Sequence, residues 1–354
     1  MHIPDGFLDT PTAVATAVAS AGVVALAAKQ ATKGLGERAV PLLGVTAAFI
    51  FAAQMLNFPI AAGTSGHFLG AVLAVALLGP WSATLVMTVV VVVQALLMGD
   101  GGLTALGANV FNMAVIGVFV GGGVFYLLKR ILPSSPIGYF SSLAVGSWVA
   151  IVAGSAAAAT ELGFSGTVPV GVALPTMTAV HMIIGLGEAV ITVVVVAGVL
   201  AARPDLVKTW PRALGGQAGV DARGSTTALR PTRALRMGIF ISAGLVIALA
   251  LGVFVSPFAS GAPDGLERVA IDKGFDAAAG DPVWSLSPFS DYQFPGLGEG
   301  RVSTAIAGAV GILLLLGVVL VLGRTLGRSR RTPACDAASP DLPCLEVTTR
   351  RPPE

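Results

Sequence analysis

Thr176-Met177-Thr178-Ala179-Val180-His181-Met182-Ile183-Ile184-Gly185-Leu186-Gly187-Glu188-Ala189-Val190-Ile191-Thr192-Val193-Val194-Val195-Val196-Ala197-Gly198-Val199-Leu200-Ala201-Ala202 is a run of 27 residues in which His181 and Glu188 are the only ionisable side chains. A helix of ~20 such residues, rising ~1.5 Å per residue, crosses the hydrocarbon core of a bilayer. In lipid the backbone must satisfy its own hydrogen bonds, which a helix does. The run therefore predicts a transmembrane helix. The same pattern recurs at Pro11–Ala28, Val40–Leu56, Phe68–Gly79, Ala83–Met98, Ala108–Leu128, Ile137–Ala158, Met237–Val255 and Val302–Leu322. The third run is short for a full span. Either the preceding Gly-rich turn extends it, or it dips only partway. Of 354 residues, 55% are hydrophobic and 11% charged, against about 25% charged in a soluble domain. The 45 glycines fit helices packed closely in lipid. The fold class is an all-α integral membrane protein.

Basic residues orient it. Lys29, Lys33 and Arg38 follow the first span, Lys129 and Arg130 the fifth, Arg203 to Arg236 the seventh and Arg324 to Arg331 the ninth. If every basic cluster is cytoplasmic, the N-terminus is outside, and the short third run must count as a crossing. That puts Met1–Leu8, Asn57–Gly66, Gly99–Gly107, Ala159–Pro175 and Ser256–Arg301 outside. No basic stripe interleaved with aromatics occurs, so nucleic acid is not an expected partner; the bilayer is.

The outer segment Met1-His2-Ile3-Pro4-Asp5-Gly6-Phe7-Leu8 carries the sharpest chemistry. No signal-peptide pattern overlaps it, because the first Lys is Lys29. His2 is too bulky to favour removal of the initiator Met, so the expected mature chain begins at Met1. The Met1 amine and the His2 amide nitrogen close a five-membered ring on a metal; the amide and Nδ1 of His2 close a six-membered one. Three nitrogens held this way lie nearly in a plane, and a fourth completes the square that suits Ni(II) or Cu(II). The bland alternative is a solvated histidine. The only other histidines are His67, at the outer end of the third run, and His181.

Asn109 and Asn112, three apart on a helix, share a face. They either orient a metal-bound His or pin two helices together, the latter slightly favoured. His181 and Glu188, seven apart, lie near one face of their span. They read equally as a metal ligand or proton relay and as a buried structural pair. Residues 204–236 form a basic cytoplasmic linker. A second unit follows at 237–322: two spans around an acidic exposed segment that begins Pro263-Asp264-Gly265-Leu266-Glu267 and reads as solvated surface. Residues 323–354 form a cytoplasmic tail rich in Pro and charge, expected to be disordered. Its Cys335 and Cys344 match no zinc spacing and read as reduced thiols. The chain has no phosphate loop, no H-E-x-x-H and no G-x-S-x-G. Concentrating a trace metal would therefore need a gradient, protons or partner subunits.

With these residues in view, the chain resembles the substrate-binding subunit of cobalt/nickel energy-coupling factor transporters, the CbiM/NikM family. The resemblance rests on Met1 to Leu8, Gly66-His67, Leu103-Thr104-Ala105-Leu106-Gly107-Ala108-Asn109-Val110-Phe111-Asn112-Met113 and His181 to Glu188, and covers residues 1–203. The second unit resembles the small CbiN/NikN accessory subunit of the PDGLE type, here fused. The resemblance implies a seven-helix S-component bundle plus a two-helix accessory unit. It implies a metal held by Met1, His2 and the imidazole of His67, which supplies the fourth nitrogen. It also implies Ni(II) or Co(II) as transported substrate with no organic cofactor, and ATP-driven uptake through a CbiQ/NikQ-like coupling subunit and CbiO/NikO-like ATPases in the bacterial cytoplasmic membrane. The chain itself would be no enzyme. Two other readings stay open: a proton-coupled metal carrier, and a membrane-embedded enzyme using His181 and Glu188.

Overall fold

A computed structural model describes residues 2–33, 39–60, 63–211, 214, 233–298 and 300–328. Met1, most of the basic linker and the tail beyond residue 328 lie outside the described residues. Helix α1, Thr10–Thr32, starts where the Asp9 side chain accepts the Thr12 amide at 3.0 Å, with Pro11 in the first turn, where its missing N–H costs nothing. Then come α2 (Ala39–Gln54) and a short antiparallel hairpin of β1 (Phe58–Pro59) and β2 (Ser65–Gly66). The bundle continues with α3 (Ala71–Leu78), α4 (Pro80–Met98), α5 (Leu106–Ile131), α6 (Pro136–Phe164) and α7 (Val170–Ala202). The second unit holds α8 (Met237–Phe258), α9 (Gly265–Lys273) and α10 (Arg301–Arg328).

Among the described residues seven helices are long and apolar enough to cross a membrane: α1, α4, α5, α6, α7, α8 and α10. Two of the nine expected runs fall short. The 16 residues of α2 reach ~24 Å and the 8 of α3 only ~12 Å. Gly70 (φ 82°) and Gly79 (φ 79°) stop α3 at its two ends with backbone that other residues rarely adopt.

A helix of two turns is marginal by itself, and α3 is stable because distant groups cap both ends. The Glu188 carboxyl on α7 accepts the amides of Leu69 (2.6 Å) and Gly70 (2.9 Å). At the other end Thr209 reaches Ala76 O through its amide (3.2 Å) and hydroxyl (3.1 Å), and Lys208 Nζ reaches Leu78 O (3.2 Å). All eight residues of α3 are buried. Glu188→Leu leaves two buried amides without an acceptor, each costing about 1–3 kcal/mol. It is expected to lower the thermal midpoint of the purified protein measurably; an unchanged midpoint would mean that α3 does not need this cap.

The first residues of the linker belong to the bundle, since Leu206, Val207 and Thr209 are buried against it. The second unit is not set apart either. Ala248 of α8 and Ile312, Leu315 and Val319 of α10 share one apolar core with Leu43, Ala47 and Phe51 of α2.

Candidate metal site

Residues 2–8 are threaded into the end of the bundle that carries the expected outer loops. Ile3 is fully buried. Its amide donates to Asn109 Oδ1 (2.8 Å), while Asn109 Nδ2 (3.0 Å) and the Gly102 amide (2.9 Å) both donate to its carbonyl. A side chain at position 102 would meet the Asp5 amide nitrogen at 2.2 Å, so only glycine lets this loop lie against the segment. Asp5 Oδ1 accepts the Thr104 amide (2.8 Å) and hydroxyl (2.6 Å), and Oδ2 accepts the Val283 amide (3.0 Å). Burial works against ionisation of Asp5, but these bonds outweigh it and hold its pKa below the usual value. The Phe7 carbonyl accepts from Thr167 Oγ1, and the Phe7 ring packs edge-on to Phe275 at 5.6 Å. Both units of the chain thus grip the segment.

That grip sets His2 beside His67, their rings stacked at 5.4 Å with 22° between planes. His2 Nδ1 lies 3.0 Å from Asp100 Oδ1, and Nε2 lies 3.2 Å from Gln94 Oε1. Asp100 is half-buried, and desolvation alone would raise its pKa. The neighbouring His2 and the hydrogen bonds from His2 and Tyr292 hold the carboxyl well below its ordinary range instead. His67 Nδ1 faces the carbonyl of Phe68 at 3.1 Å. An acceptor there keeps the proton on Nδ1 and leaves the lone pair on Nε2, the nitrogen turned toward Asp264 (4.0 Å to Oδ2). Burial pushes the His67 pKa down to about 3, so the ring is neutral, the form that binds metals.

His2 and His67 open onto a cavity of about 700 Å³. Among the described residues no three His, Cys, Asp or Glu side chains form a metal cage. The two imidazoles form a nitrogen-rich corner of the cavity, and imidazole is a ligand type that suits borderline metals.

The other expected site residues are placed elsewhere. Asn109 bonds no histidine directly and pins no second helix; it clamps the peptide of Ile3, the residue after His2. Asn112 Nδ2 donates to Glu161 Oε2 (2.7 Å) and does pin α5 to α6. His181 and Glu188 are not bonded to each other. His181 Nδ1 faces Met177 O (2.7 Å) on its own helix, while both Glu188 oxygens serve α3. The hydrogen-bonded pair expected of them is not formed, because each has a separate partner.

Sequence reading missed Gln54, Asp100 and Asp264 in the cavity wall and Gln94 beside His2. The two glutamines were visible as lone amides in apolar spans, a residue type that usually has a partner or a task there.

Residues 2–206 match the family described as the cobalt uptake substrate-specific transmembrane region, CbiM, and residues 239–328 match the PDGLE domain. The "Putative fused nickel transport protein NikMN" of Archaeoglobus fulgidus is 36% identical over 335 residues, covering 94% of this chain and 100% of its own length. A metal transport protein of Haloquadratum walsbyi is 44% identical over 211 residues, 59% of this chain and 94% of its own. A crystal structure of a transition metal transporter, 36% identical, superposes with a TM-score of 0.53 over 63% of this chain and 100% of its own. Fold, site and likeness define a multi-pass membrane component of metal transport rather than an enzyme. The chain belongs to the CbiM family, with a PDGLE domain fused behind the family's bundle.

Proposed function

We propose that this chain is the substrate-capturing subunit of an ATP-driven importer of the energy-coupling factor type, and that it takes up Ni(II) or Co(II) from outside the bacterial cytoplasmic membrane. Residues 1–203 form the metal-binding domain and residues 237–322 the accessory domain. The ligands are the Met1 amine, the His2 amide and imidazole, and His67. The observation that carries this reading is the stacking of His2 on a neutral, buried His67 at 5.4 Å, by an N-terminal segment clamped in place. Four nitrogens in a plane suit Ni(II) on geometry, and the full-length relative from Archaeoglobus fulgidus is named for nickel; Ni(II) is the preferred cargo and Co(II) the second.

Binding proceeds by exchange. The metal replaces the protons on the His2 amide and on the Nδ1 that faces Asp100, these protons pass to water, and Asp100 remains beside the metal as a counter-charge. The sequence contains no phosphate loop of its own, and this reading assigns ATP hydrolysis to partners: a transmembrane coupling protein and a pair of ATPases.

Titration calorimetry of the purified chain with Ni(II) tests the ligand set. His67→Ala is expected to weaken binding at least a hundredfold, about 2.7 kcal/mol. Equal affinity in the two proteins would remove His67 from the site.

A further inference from the structure

The fused unit is bonded to the bundle around the site. At the hairpin, Ser65 N donates to Pro263 O (2.9 Å) and Ser65 Oγ to Ala262 O (2.7 Å). At the end of α4 a longer stretch is engaged. The last turn of that helix, Gln94–Met98, widens to π geometry, which is frequent at functional sites. The last carbonyls of a helix have no partner within it, and the second unit takes two of them. Trp284 Nε1 donates to Leu96 O (2.8 Å) and the Phe289 amide to Leu97 O (2.9 Å).

Tyr292 follows in the same stretch. Glycines aside, Asp291 and Tyr292 are the only described residues with positive φ, at 53° and 56°. Asp tolerates that region, whereas a bulky tyrosine there is a strained exception. Such strain persists only where the surroundings enforce it, and two hydrogen bonds mark what it serves. The Tyr292 hydroxyl donates to Asp100 Oδ2 at 2.6 Å and accepts from Gln94 Nε2 at 3.4 Å. Burial and the neighbouring carboxylate push its pKa well above the ordinary value, so the hydroxyl keeps its proton and donates. Asp100 Oδ1 in turn lies 3.0 Å from His2 Nδ1, and Gln94 Oε1 lies 3.2 Å from His2 Nε2. Four side chains, His2, Asp100, Tyr292 and Gln94, close a ring. Both nitrogens of the imidazole are held in it, and one member comes from the fused unit.

We infer that Tyr292 is a positioning residue for metal capture: its hydroxyl fixes the Asp100 carboxyl against His2 and so sets the orientation in which the imidazole meets the metal. This rests on the reading of Met1, His2 and His67 as the ligands. Tyr292 acts through Asp100, by the shorter of its two bonds. When the metal takes Nδ1, the carboxyl loses its bond to His2 but stays tethered through Oδ2, which keeps the counter-charge in place. Gln94 Oε1 remains beside Nε2, the nitrogen whose N–H a metal-bound histidine donates to a partner. A phenylalanine at position 292 preserves the ring that packs against Phe51 and removes only the tether.

Titration calorimetry of the purified full chain tests this. Tyr292→Phe is expected to bind Ni(II) roughly tenfold more weakly, within the 10- to 100-fold range typical when the partners of metal ligands are lost. In an Asp100→Ala background the same substitution is expected to cost less than about twofold, a non-additivity that general loosening of the fold does not produce. A second measurement uses the parent chain itself. Ni(II) breaks the bond between Asp100 and His2, which alters the hydrogen bond at Tyr292, and ultraviolet resonance Raman reads that as a shift of tyrosine bands. The chain has three tyrosines; the other two, Tyr126 and Tyr139, pack with Lys129 and Thr209, outside this ring. Ni(II) affinity of Tyr292→Phe within twofold of the parent, an equal loss in the Asp100→Ala background, or tyrosine bands that ignore Ni(II) each overturn the inference. Failure of the ligand reading looks different: Ni(II) affinity then ignores His67→Ala, whatever Tyr292→Phe does.

Discussion

Four residues, Gly-Ser-Gly-Ser, placed before Met1 are expected to abolish tight Ni(II) binding, weakening it roughly a thousandfold or more, about 4 kcal/mol. The α-amine moves up to ~13 Å along the chain, and the five-membered ring it forms with the His2 amide is lost. What remains is His2 and His67, two imidazoles without the planar frame. The length of the extension matters. A single added residue would move His2 to third place, where an amine, two amides and an imidazole already supply four planar nitrogens without His67. Calorimetry with Ni(II) reads the effect, and an unchanged thermal midpoint separates loss of the chelate from loss of the fold. Tight binding that survives the longer extension would place the site away from Met1.

Asn109→Leu should come second in size. The variant removes both bonds between the Asn109 amide and the Ile3 peptide. The Ile3 carbonyl keeps Gly102 as donor, but the buried Ile3 amide is left without an acceptor. An orphaned amide costs about 1–3 kcal/mol and the second bond about 1 kcal/mol, or about 2–4 kcal/mol against the seated form of the segment. Because His2 adjoins Ile3, the same free energy is expected to appear as a loss of roughly 30- to 1,000-fold in Ni(II) affinity. Protease attack at the first residues should rise in parallel. Ni(II) affinity within threefold of the parent would show that the seat is not what presents His2.

The two predictions probe different parts of the same residue list. Met1 and His2 were legible from bond geometry alone, because chelate rings close between neighbouring atoms. Asn109 was legible only as an amide in need of a partner. Its partner is 106 positions away, and no local pattern names it. His181 and Glu188 show the converse: the sequence put them near one helix face, yet packing gave each a different partner. Asp264 read as solvated surface, since an acidic turn between spans is usually that. The hairpin bonds of Ser65 bring it to 4.0 Å from His67.

By itself the sequence determined that this is a multi-pass helical membrane protein, because spanning depends on apolar length, a sum over neighbours along the chain. It also determined the three nitrogens at the start and the family likeness of the motifs. Tertiary structure decided that α3 is a half-helix held by Glu188 and Thr209, that the fused unit shares the core of the bundle, and that Gln54, Asp100 and Asp264, from three separate segments, line one cavity. Those pairings join residues far apart in the chain, and only the packing of whole helices brings them within a hydrogen bond's reach.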